Sequence, residues 1–188
     1  MGLELKREFH VRDDIILRTF RDGDAEAVFS AVQHNREHLK PFMEWATADY
    51  SVETAERFIE NSIANVAALK GLGLGIFASG RLIGSIGFVK LDWKVGKAEI
   101  GYWIDKAEEG KGIVSASCGI LLEYAFGELG MNRVEIRCSS LNIRSAQIPQ
   151  RFGFTKEGVL RQSEIRDGRL HDFNIYGLLA DEWRERNL

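Results

Sequence analysis

The loop at residues 108–115, EEGKGIVS, is well suited to binding an anion because it stands between a strand-like run and a helix-like run. Amides at the start of a helix lack intrahelical partners and face outward at the positive end of the helix dipole. Gly110 and Gly112 would let the backbone approach a ligand closely. Lys111 adds a positive charge, and Ser115 supplies a hydroxyl or a helix cap. The loop fits a phosphate cradle or a plain strand-to-helix turn.

Two common nucleotide-binding motifs do not fit this loop. A Walker loop requires G-x-x-x-x-G-K-[ST], and neither Gly110 nor Gly112 is followed by that pattern. A dinucleotide fingerprint requires G-x-G-x-x-G, and its last position here is Ser115. A second glycine cluster at residues 71–75 precedes a predicted strand, whereas the glycines of the fingerprint follow a strand. Both nucleotide interpretations therefore fail.

The elements around the loop predict an α/β (α+β) protein with a mixed, mostly antiparallel central sheet flanked by helices. Apolar and β-branched runs bounded by turn residues predict strands, and apolar spacings of three and four predict helices. The expected order is β, α, α, β, β, β, α, β, α, β, β. Strands are expected at residues 15–20, 74–78, 82–91, 97–104, 133–139, 159–165 and 170–179. Helices are expected at residues 24–35, 51–71, 114–129 and 143–151, with a helical turn in the last six or seven residues.

Length and charge narrow the class of protein. The 188 residues are 45% apolar and contain 2 prolines, which indicates a single globular domain over residues 1–188. The formal net charge of -3 provides no basic stripe, so direct nucleic-acid binding is not expected. No run approaches 18 apolar residues and the N-terminus is charged, so neither a membrane span nor a signal peptide is expected.

The two cysteines indicate a cytoplasmic protein. Cys118 and Cys138 lie inside apolar-periodic segments and do not form a C-x-x-C pair. Buried free thiols fit this placement better than a disulfide or a zinc site, so no metal is expected.

The run that begins at residue 97, KAEIGYWIDKAEEGKGIVSASCGILLEYAFGELG, closely resembles the acetyl-CoA signature of the GNAT superfamily of N-acetyltransferases. The later segments NIRS, GFTKEG and RDGRLHDFNIYGLL look like its RimJ/RimL branch, the ribosomal-protein N-terminal acetyltransferases, over residues 15–183. The resemblance implies the GNAT fold, acetyl-CoA as co-substrate and a protein N-terminal amine, in a ribosomal protein, as acceptor. Transfer would be a direct attack in a ternary complex, and a possible homodimer is also implied.

The resemblance places the cofactor in the loop and in the strand before it. The family motif Q/R-x-x-G-x-G/A falls on residues 109–114, where Glu109 replaces Gln or Arg and Val114 replaces a small residue. A carboxylate at this position would repel the pyrophosphate unless it points away. Trp103 fits the core equally well, and Asn142 could cap a helix or bind the pantetheine arm. The implied acetyl-CoA-binding residues are Tyr102, Trp103, Ile104, Glu109, Gly110, Lys111, Gly112, Ile113, Val114, Ser115 and Asn142.

Two residues are the catalytic candidates implied by the resemblance. Deprotonating an α-amine at pH 7 costs only about 1 to 1.4 kcal/mol, against roughly 4.6 for lysine, so one modest base is enough. Glu164 is the implied base, or else a solvated strand glutamate. Many relatives use a tyrosine acid seven residues after Asn142, but Pro149 stands there, which excludes that mechanism and is expected to loosen the helix. Ser145 is then the implied proton donor, or else a first-turn helix serine.

The acceptor side is the least specified part of the sequence. Phe42, Met43 and Trp45 lie where this branch forms an acceptor wall, although simple packing explains buried aromatics too. A small amine or polyamine acceptor is an alternative to a protein N-terminus. A non-catalytic acyl-CoA-binding module is a further alternative, suggested by Glu109, Val114 and the missing tyrosine.

Overall fold

The computed structural model describes residues 3–186, in which one eight-stranded sheet carries the helices. The strands are β1 (Glu8–Arg12), β2 (Ile15–Thr19), β3 (Leu72–Ala78), β4 (Arg81–Asp92), β5 (Lys97–Ile104), β6 (Arg133–Ser139), β7 (Thr155–Arg166) and β8 (Arg169–Leu179). The α-helices are α1 (Ala25–Leu39), α2 (Val52–Ala67), α3 (Ile113–Glu123), α4 (Ile143–Arg151) and α5 (Ala180–Arg186). A 3-10 turn (Lys106–Glu108) precedes α3, and a π-helical turn (Tyr124–Glu128) follows it.

The sheet is mixed and mostly antiparallel, as predicted. Its order is β1-β2-β3-β4-β5-β6-β8-β7, and β5 with β6 is the parallel pair. The turn between β3 and β4 uses Ser79 and Gly80, both at positive φ (47° and 82°), and Asp167 and Gly168 do the same between β7 and β8 (47° and 70°). Such turns match the right-handed twist of hairpins, so short local signals determine these antiparallel pairs.

The parallel strands separate half-way along β5, and this opening positions the site. Pairing runs from Lys97 with Arg133 to Ile100 with Ile136. Beyond that point residues 101–104 pair with β4 on one side, and β6 pairs with β8. Half of β5 therefore presents backbone groups on the side from which β6 has turned away.

A buried carboxylate lies where β5 and β6 are still paired. Glu135 on β6 is 6% exposed and accepts from Lys97 on β5 (3.3 Å), Arg133 (2.9 Å) and Arg137 (3.0 Å). Burial alone would raise the pKa of Glu135, but the hydrogen bonds from Arg137 and Arg133 lower it to about 2. The carboxylate is thus ionised at neutral pH and links the two parallel strands.

The helices cover both faces of the sheet because strand side chains alternate between them. On β2, Leu17 belongs to the core cluster that contains α3, whereas its neighbour Ile16 packs against the cluster formed with α1 and α2. Ser51 caps α2 by accepting from the Thr54 amide at 3.3 Å. None of the helices within residues 3–186 is both long and apolar enough to span a membrane.

Four expectations need correction. The predicted order missed β1, whose charged sequence EFHVR buries only Phe9 strongly and pairs at the sheet edge with β2. Helix α1 extends past residue 35 to Leu39, and β7 begins at Thr155, four residues earlier than predicted. Helix α2 ends at Ala67, four residues before the predicted end at residue 71, whereas α4 spans Pro149 and ends at Arg151, as predicted.

Candidate active site

The loop before α3 holds its two glycines in the left-handed region. Gly110 has φ 76° and Gly112 has φ 77°, and no protein atom lies within 4 Å of a Cβ built at either position. Glycine is therefore needed for the backbone conformation, which costs other residues about 1–2 kcal/mol. The first intrahelical bond of α3 runs from the Ala116 amide to the Gly112 carbonyl at 2.9 Å. The preceding amides of the first turn can thus bind an anion.

The loop is anchored at its start by polar contacts. Asp105 is 4% exposed, accepts from the Ala107 amide at 2.9 Å and pairs with Arg81 at 3.1 Å. Buried Asn35 on α1 accepts from the Lys106 amide at 2.9 Å. The direction in which the loop leaves β5 is therefore determined by residues from α1 and β4.

Glu109, which departs from the family motif, is held by two partners. Its Oε1 lies 3.2 Å from His38 Nε2, and its Oε2 is paired with Arg144 of α4. Burial, together with the charges of Lys106 and Arg144, lowers the pKa of His38. The negative charge at this position is thus balanced by an arginine that the family motif does not contain.

A second arginine of α4 also reaches the loop region. Arg151 donates to Ser115 Oγ on the first turn of α3 at 2.8 Å. Lys111 is half exposed and pairs with Glu108 at 2.8 Å. The side chain of Ile113 is 2% exposed and belongs to the core, so only its backbone can serve a ligand. Arg144 and Arg151 therefore bring two positive charges from α4 to the start of α3.

The open half of β5 is flanked by side chains that pack away from its edge. Trp103 packs with the α1 and α2 cluster and lies edge-on to Trp45, with ring centroids 6.0 Å apart. Ile104 packs against the larger core. Packing thus accounts for both side chains, while their main-chain groups stay at the opening.

A cavity of about 490 Å³ crosses the sheet at this opening and collects most of the other predicted residues. Its walls include Phe42, Met43, Trp45, Tyr102, Trp103, Asn142, Ser145 and Glu164. The three candidates for the acceptor wall and the two catalytic candidates thus line one cavity. The loop residues 109–115 and Ile104 lie outside this cavity.

Ser145 is held by its backbone and its hydroxyl. Asn142 Oδ1 accepts from the Ser145 amide at 3.0 Å, so Asn142 caps α4. Ser145 Oγ donates to the Tyr102 hydroxyl at 3.2 Å, and that hydroxyl donates to the Ser145 carbonyl at 2.9 Å. The serine hydroxyl therefore has a defined direction within the cavity wall.

Glu164 is tied to the acceptor wall through an arginine that the sequence did not single out. Arg166, whose side chain is 12% exposed, pairs with Glu164 and donates from Nε to the Phe42 carbonyl at 3.0 Å. Its guanidinium also lies 5.2 Å from the ring of Phe173, which lines the cavity. Arg166 thus fixes the candidate base relative to the loop that carries the aromatic wall. Arg166 follows Glu164 by two residues, a spacing that places both side chains on one face of a strand. This spacing is the sequence signal that could have identified Arg166.

The thiols are buried and free, as predicted. Cys118 and Cys138 are fully and almost fully buried, and burial raises the pKa of Cys118 to about 12 and raises that of Cys138. His171 bonds Ser139 at 2.9 Å, whereas the neighbouring Asp172 accepts from the Gln162 amide at 2.8 Å. The adjacent His171 and Asp172 therefore turn apart, as the strand alternation predicted.

The model of the acetyltransferase (GNAT) domain matches residues 14–155. The chain belongs to the GNAT acetyltransferase family. It is 38% identical over 174 residues to the Bacillus subtilis protein YdaF, which carries the name of a ribosomal N-acetyltransferase, covering 92% of this chain and 95% of that protein. It is also 26% identical over 171 residues to the ribosomal-protein-serine acetyltransferase of Escherichia coli, covering 91% and 96%. The chain is thus an enzyme, an acetyltransferase, and the GNAT fold that the sequence predicted is confirmed.

Two similar solved structures contain the cofactor. The microcin C7 self-immunity acetyltransferase MccE, in complex with acetyl-CoA and AMP, is 31% identical with a TM-score of 0.84, covering 90% of this chain and 94% of that one. RimL, the ribosomal L7/L12 α-N-protein acetyltransferase in complex with coenzyme A, is 26% identical with a TM-score of 0.88, covering 94% and 99% respectively. The RimJ/RimL resemblance is confirmed by these neighbours.

Proposed function

We propose that this GNAT enzyme transfers the acetyl group of acetyl-CoA to the N-terminal α-amine of a protein, with a ribosomal protein as the acceptor class. The observation that carries the proposal is the cavity at the opening between β5 and β6, which Ser145 and Glu164 line together with Phe42, Met43 and Trp45. The relatives named as ribosomal-protein acetyltransferases support the acceptor class.

The residues present fit acetyl-CoA. We assign the pyrophosphate to the amides of residues 110–115, whose left-handed glycines present the start of α3, with Arg144 and Arg151 supplying charge. The backbone of residues 102–104 would hold the pantetheine arm at the open edge of β5. Asn142 would act as the N-cap of α4, where its side chain accepts from the Ser145 amide. When bound, acetyl-CoA supplies an activated acetyl thioester.

The chemistry assigned to the chain is a pair of proton transfers. Glu164 accepts a proton from the acceptor amine, so that the amine attacks as a neutral nucleophile. Ser145 donates its hydroxyl proton to the sulfur as the carbon–sulfur bond breaks. The second proton, which the nitrogen loses once it has bonded the carbonyl carbon, passes through solvent back to Ser145. Phe42, Met43 and Trp45 exclude water around the amine and orient it. Direct attack is favoured because a cysteine nucleophile needs a thiolate, and burial raises the pKa values of both thiols.

The test uses three acceptors and mass spectrometry. Purified protein is incubated with acetyl-CoA and ribosomal protein L7/L12 bearing a free N-terminal serine, the same protein with a blocked N-terminus, or spermidine. One acetyl group on the free N-terminus, with no modification of the blocked protein, is the expected result. Turnover of spermidine alone would overturn the proposed acceptor.

Two variants test the catalytic assignment. Glu164→Gln and Ser145→Ala should each lower kcat by about 100-fold, the usual scale for positioned acid and base groups. Glu157→Gln is the matched control, because Glu157 is also on β7 and also pairs with an arginine, Arg133, but does not line the cavity. If both test variants stay within twofold of the wild type, the assignment is wrong.

A small-molecule amine is the second candidate acceptor, and the likeness to MccE favours it, since that protein is solved with AMP. The mass-spectrometry experiment distinguishes it when a panel of aminoacyl nucleotides is added. Acetylation of these compounds without acetylation of L7/L12 would favour the second candidate.

A further inference from the structure

Pro149 removes one hydrogen bond from α4 without ending the helix. A regular helix bonds each amide to the carbonyl four residues earlier, so the amide of residue 149 would serve the Ser145 carbonyl. Proline has no amide hydrogen, and its ring pushes against that carbonyl. Helix α4 nevertheless continues to Arg151. The carbonyl of the candidate proton donor is therefore left without its helical partner.

The missing donor is replaced from another element. The Tyr102 hydroxyl, which comes from the open half of β5, donates to the Ser145 carbonyl at 2.9 Å. The same hydroxyl oxygen accepts from Ser145 Oγ at 3.2 Å. A phenol has one proton to donate, so these two contacts assign that proton to the carbonyl and hold the serine oxygen beside the tyrosine oxygen until the serine proton is transferred. Burial strongly raises the pKa of Tyr102, so this donor stays protonated.

We propose that Tyr102 is a positioning residue for Ser145, and that Pro149 makes this possible by leaving the Ser145 carbonyl free to accept from the tyrosine. The proposal rests on the proposed role of Ser145 in acetyl transfer. Tyr102 would thus have a side-chain role in addition to the backbone contacts proposed for the pantetheine arm. The hydroxyl joins β5 to α4 at the opening where β5 and β6 separate.

The geometry is tested by unfolding in urea, which needs no substrate. Tyr102→Phe leaves the Ser145 carbonyl without a donor, so it should lower the urea midpoint clearly when residue 149 is proline. In the Pro149→Ala background the new amide can donate to that carbonyl, and the same change should shift the midpoint by less than half as much. Tyr124→Phe is the matched control, because this buried hydroxyl accepts from the Lys6 amide at 2.7 Å and lies on the π-helical turn rather than on β5. Its shift should be equal in the two backgrounds.

The positioning role is tested by steady-state kinetics with acetyl-CoA and L7/L12. Tyr102→Phe should lower kcat about tenfold with the KM for acetyl-CoA within twofold, because an acting group is misplaced while binding is retained. In the Ser145→Ala background Tyr102→Phe should cause no further loss of kcat. Tyr124→Phe should leave kcat unchanged.

The outcomes separate this inference from the proposed function. Equal midpoint shifts for Tyr102→Phe in both backgrounds would show that the Tyr102 hydroxyl does not replace the amide donor that Pro149 lacks. A kcat loss that persists at full size without Ser145 would overturn the positioning role. If Ser145→Ala alone keeps wild-type turnover, the proton donor of the proposed function is wrong, and the midpoint shifts still decide whether Tyr102 replaces the missing helical donor.

Discussion

Helix α4 reaches two regions that use different interactions, the loop at residues 108–115 (the loop end) and the cavity (the cavity end). At the loop end, Arg144 pairs with Glu109 and its side chain is 72% exposed. At the cavity end, the contacts are the neutral Tyr102 and Ser145 pair and the Arg166 guanidinium, which is 12% exposed. Exposed ion pairs are weak and are screened by salt, whereas buried contacts are costly to break.

This difference matches the two tasks of an acetyltransferase. In the proposed binding mode, contacts that break easily suit the loop end, where phosphates of the co-substrate would replace the carboxylate of Glu109 as partner of Arg144. Contacts that hold one geometry suit the cavity end, where proton transfers depend on distance. Four changes would sharpen this comparison or contradict it.

Arg166→Met should have the largest effect, because it separates Glu164 from the loop of Phe42. We expect kcat/KM for L7/L12 to fall about 10- to 100-fold, the scale for a displaced catalytic group. Steady-state kinetics with Arg161→Met as control checks this, since Arg161 is exposed on the same strand. A loss no larger than that of the control would contradict a fixed geometry at the cavity end.

Gly112→Ala should raise the KM for acetyl-CoA about tenfold, because a side chain at φ 77° strains the loop and misaligns its amides. Gly130→Ala is the matched control: it has φ 63° and no atom within 4 Å of a built Cβ, but it follows the π-helical turn. Both variants should lose about 1 kcal/mol of unfolding free energy by urea titration. Similar KM values for the two variants would show that the loop is not part of the acetyl-CoA-binding site.

Arg144→Ala should raise the KM for acetyl-CoA about threefold in low salt, and the difference should shrink as salt screens the charge. Arg184→Ala is the control, because Arg184 is 66% exposed and pairs with Asp181, but lies on α5. A salt-independent effect at Arg144 would show that the loop end is not governed by exposed charge.

His38→Gln should give the smallest effect, visible only as a pH dependence. The pKa of His38 is lowered by burial and by Lys106 and Arg144, so below pH about 6.5 the unfolded chain binds a proton that the folded chain does not. Wild-type stability should therefore fall as the pH drops below that value, and the variant should lose less. Urea titrations at pH 7.5 and 5.5 measure this difference, and equal losses would exclude His38 as its source.

Local patterns predicted most of the fold but missed β1 and the length of α1. Strong hydrophobic alternation and Asp-Gly or Ser-Gly turns marked the central strands, since these signals depend on neighbouring residues. The β1 strand is charged and pairs only at the sheet edge, so its strand state depends on β2 rather than on its own sequence. In the site, the loop and Ser145 with Glu164 were expected together, but Arg144 and Arg166 were not.

The sequence alone determined the glycine loop, the caps of α2 and α4, the order of most elements and the family, because these depend on local conformation and on motif spacing. The tertiary structure decided which groups meet. The charge of Glu109 is balanced because α4 brings Arg144 to it, and α1 brings His38 within 3.2 Å of the same carboxylate. Pro149 marked an absent tyrosine in the sequence, but only the separation of β5 from β6 allows Tyr102 to reach the carbonyl that this proline leaves free. Contacts between residues 43 positions apart have no local signature, since chain folding alone brings them within hydrogen-bond distance.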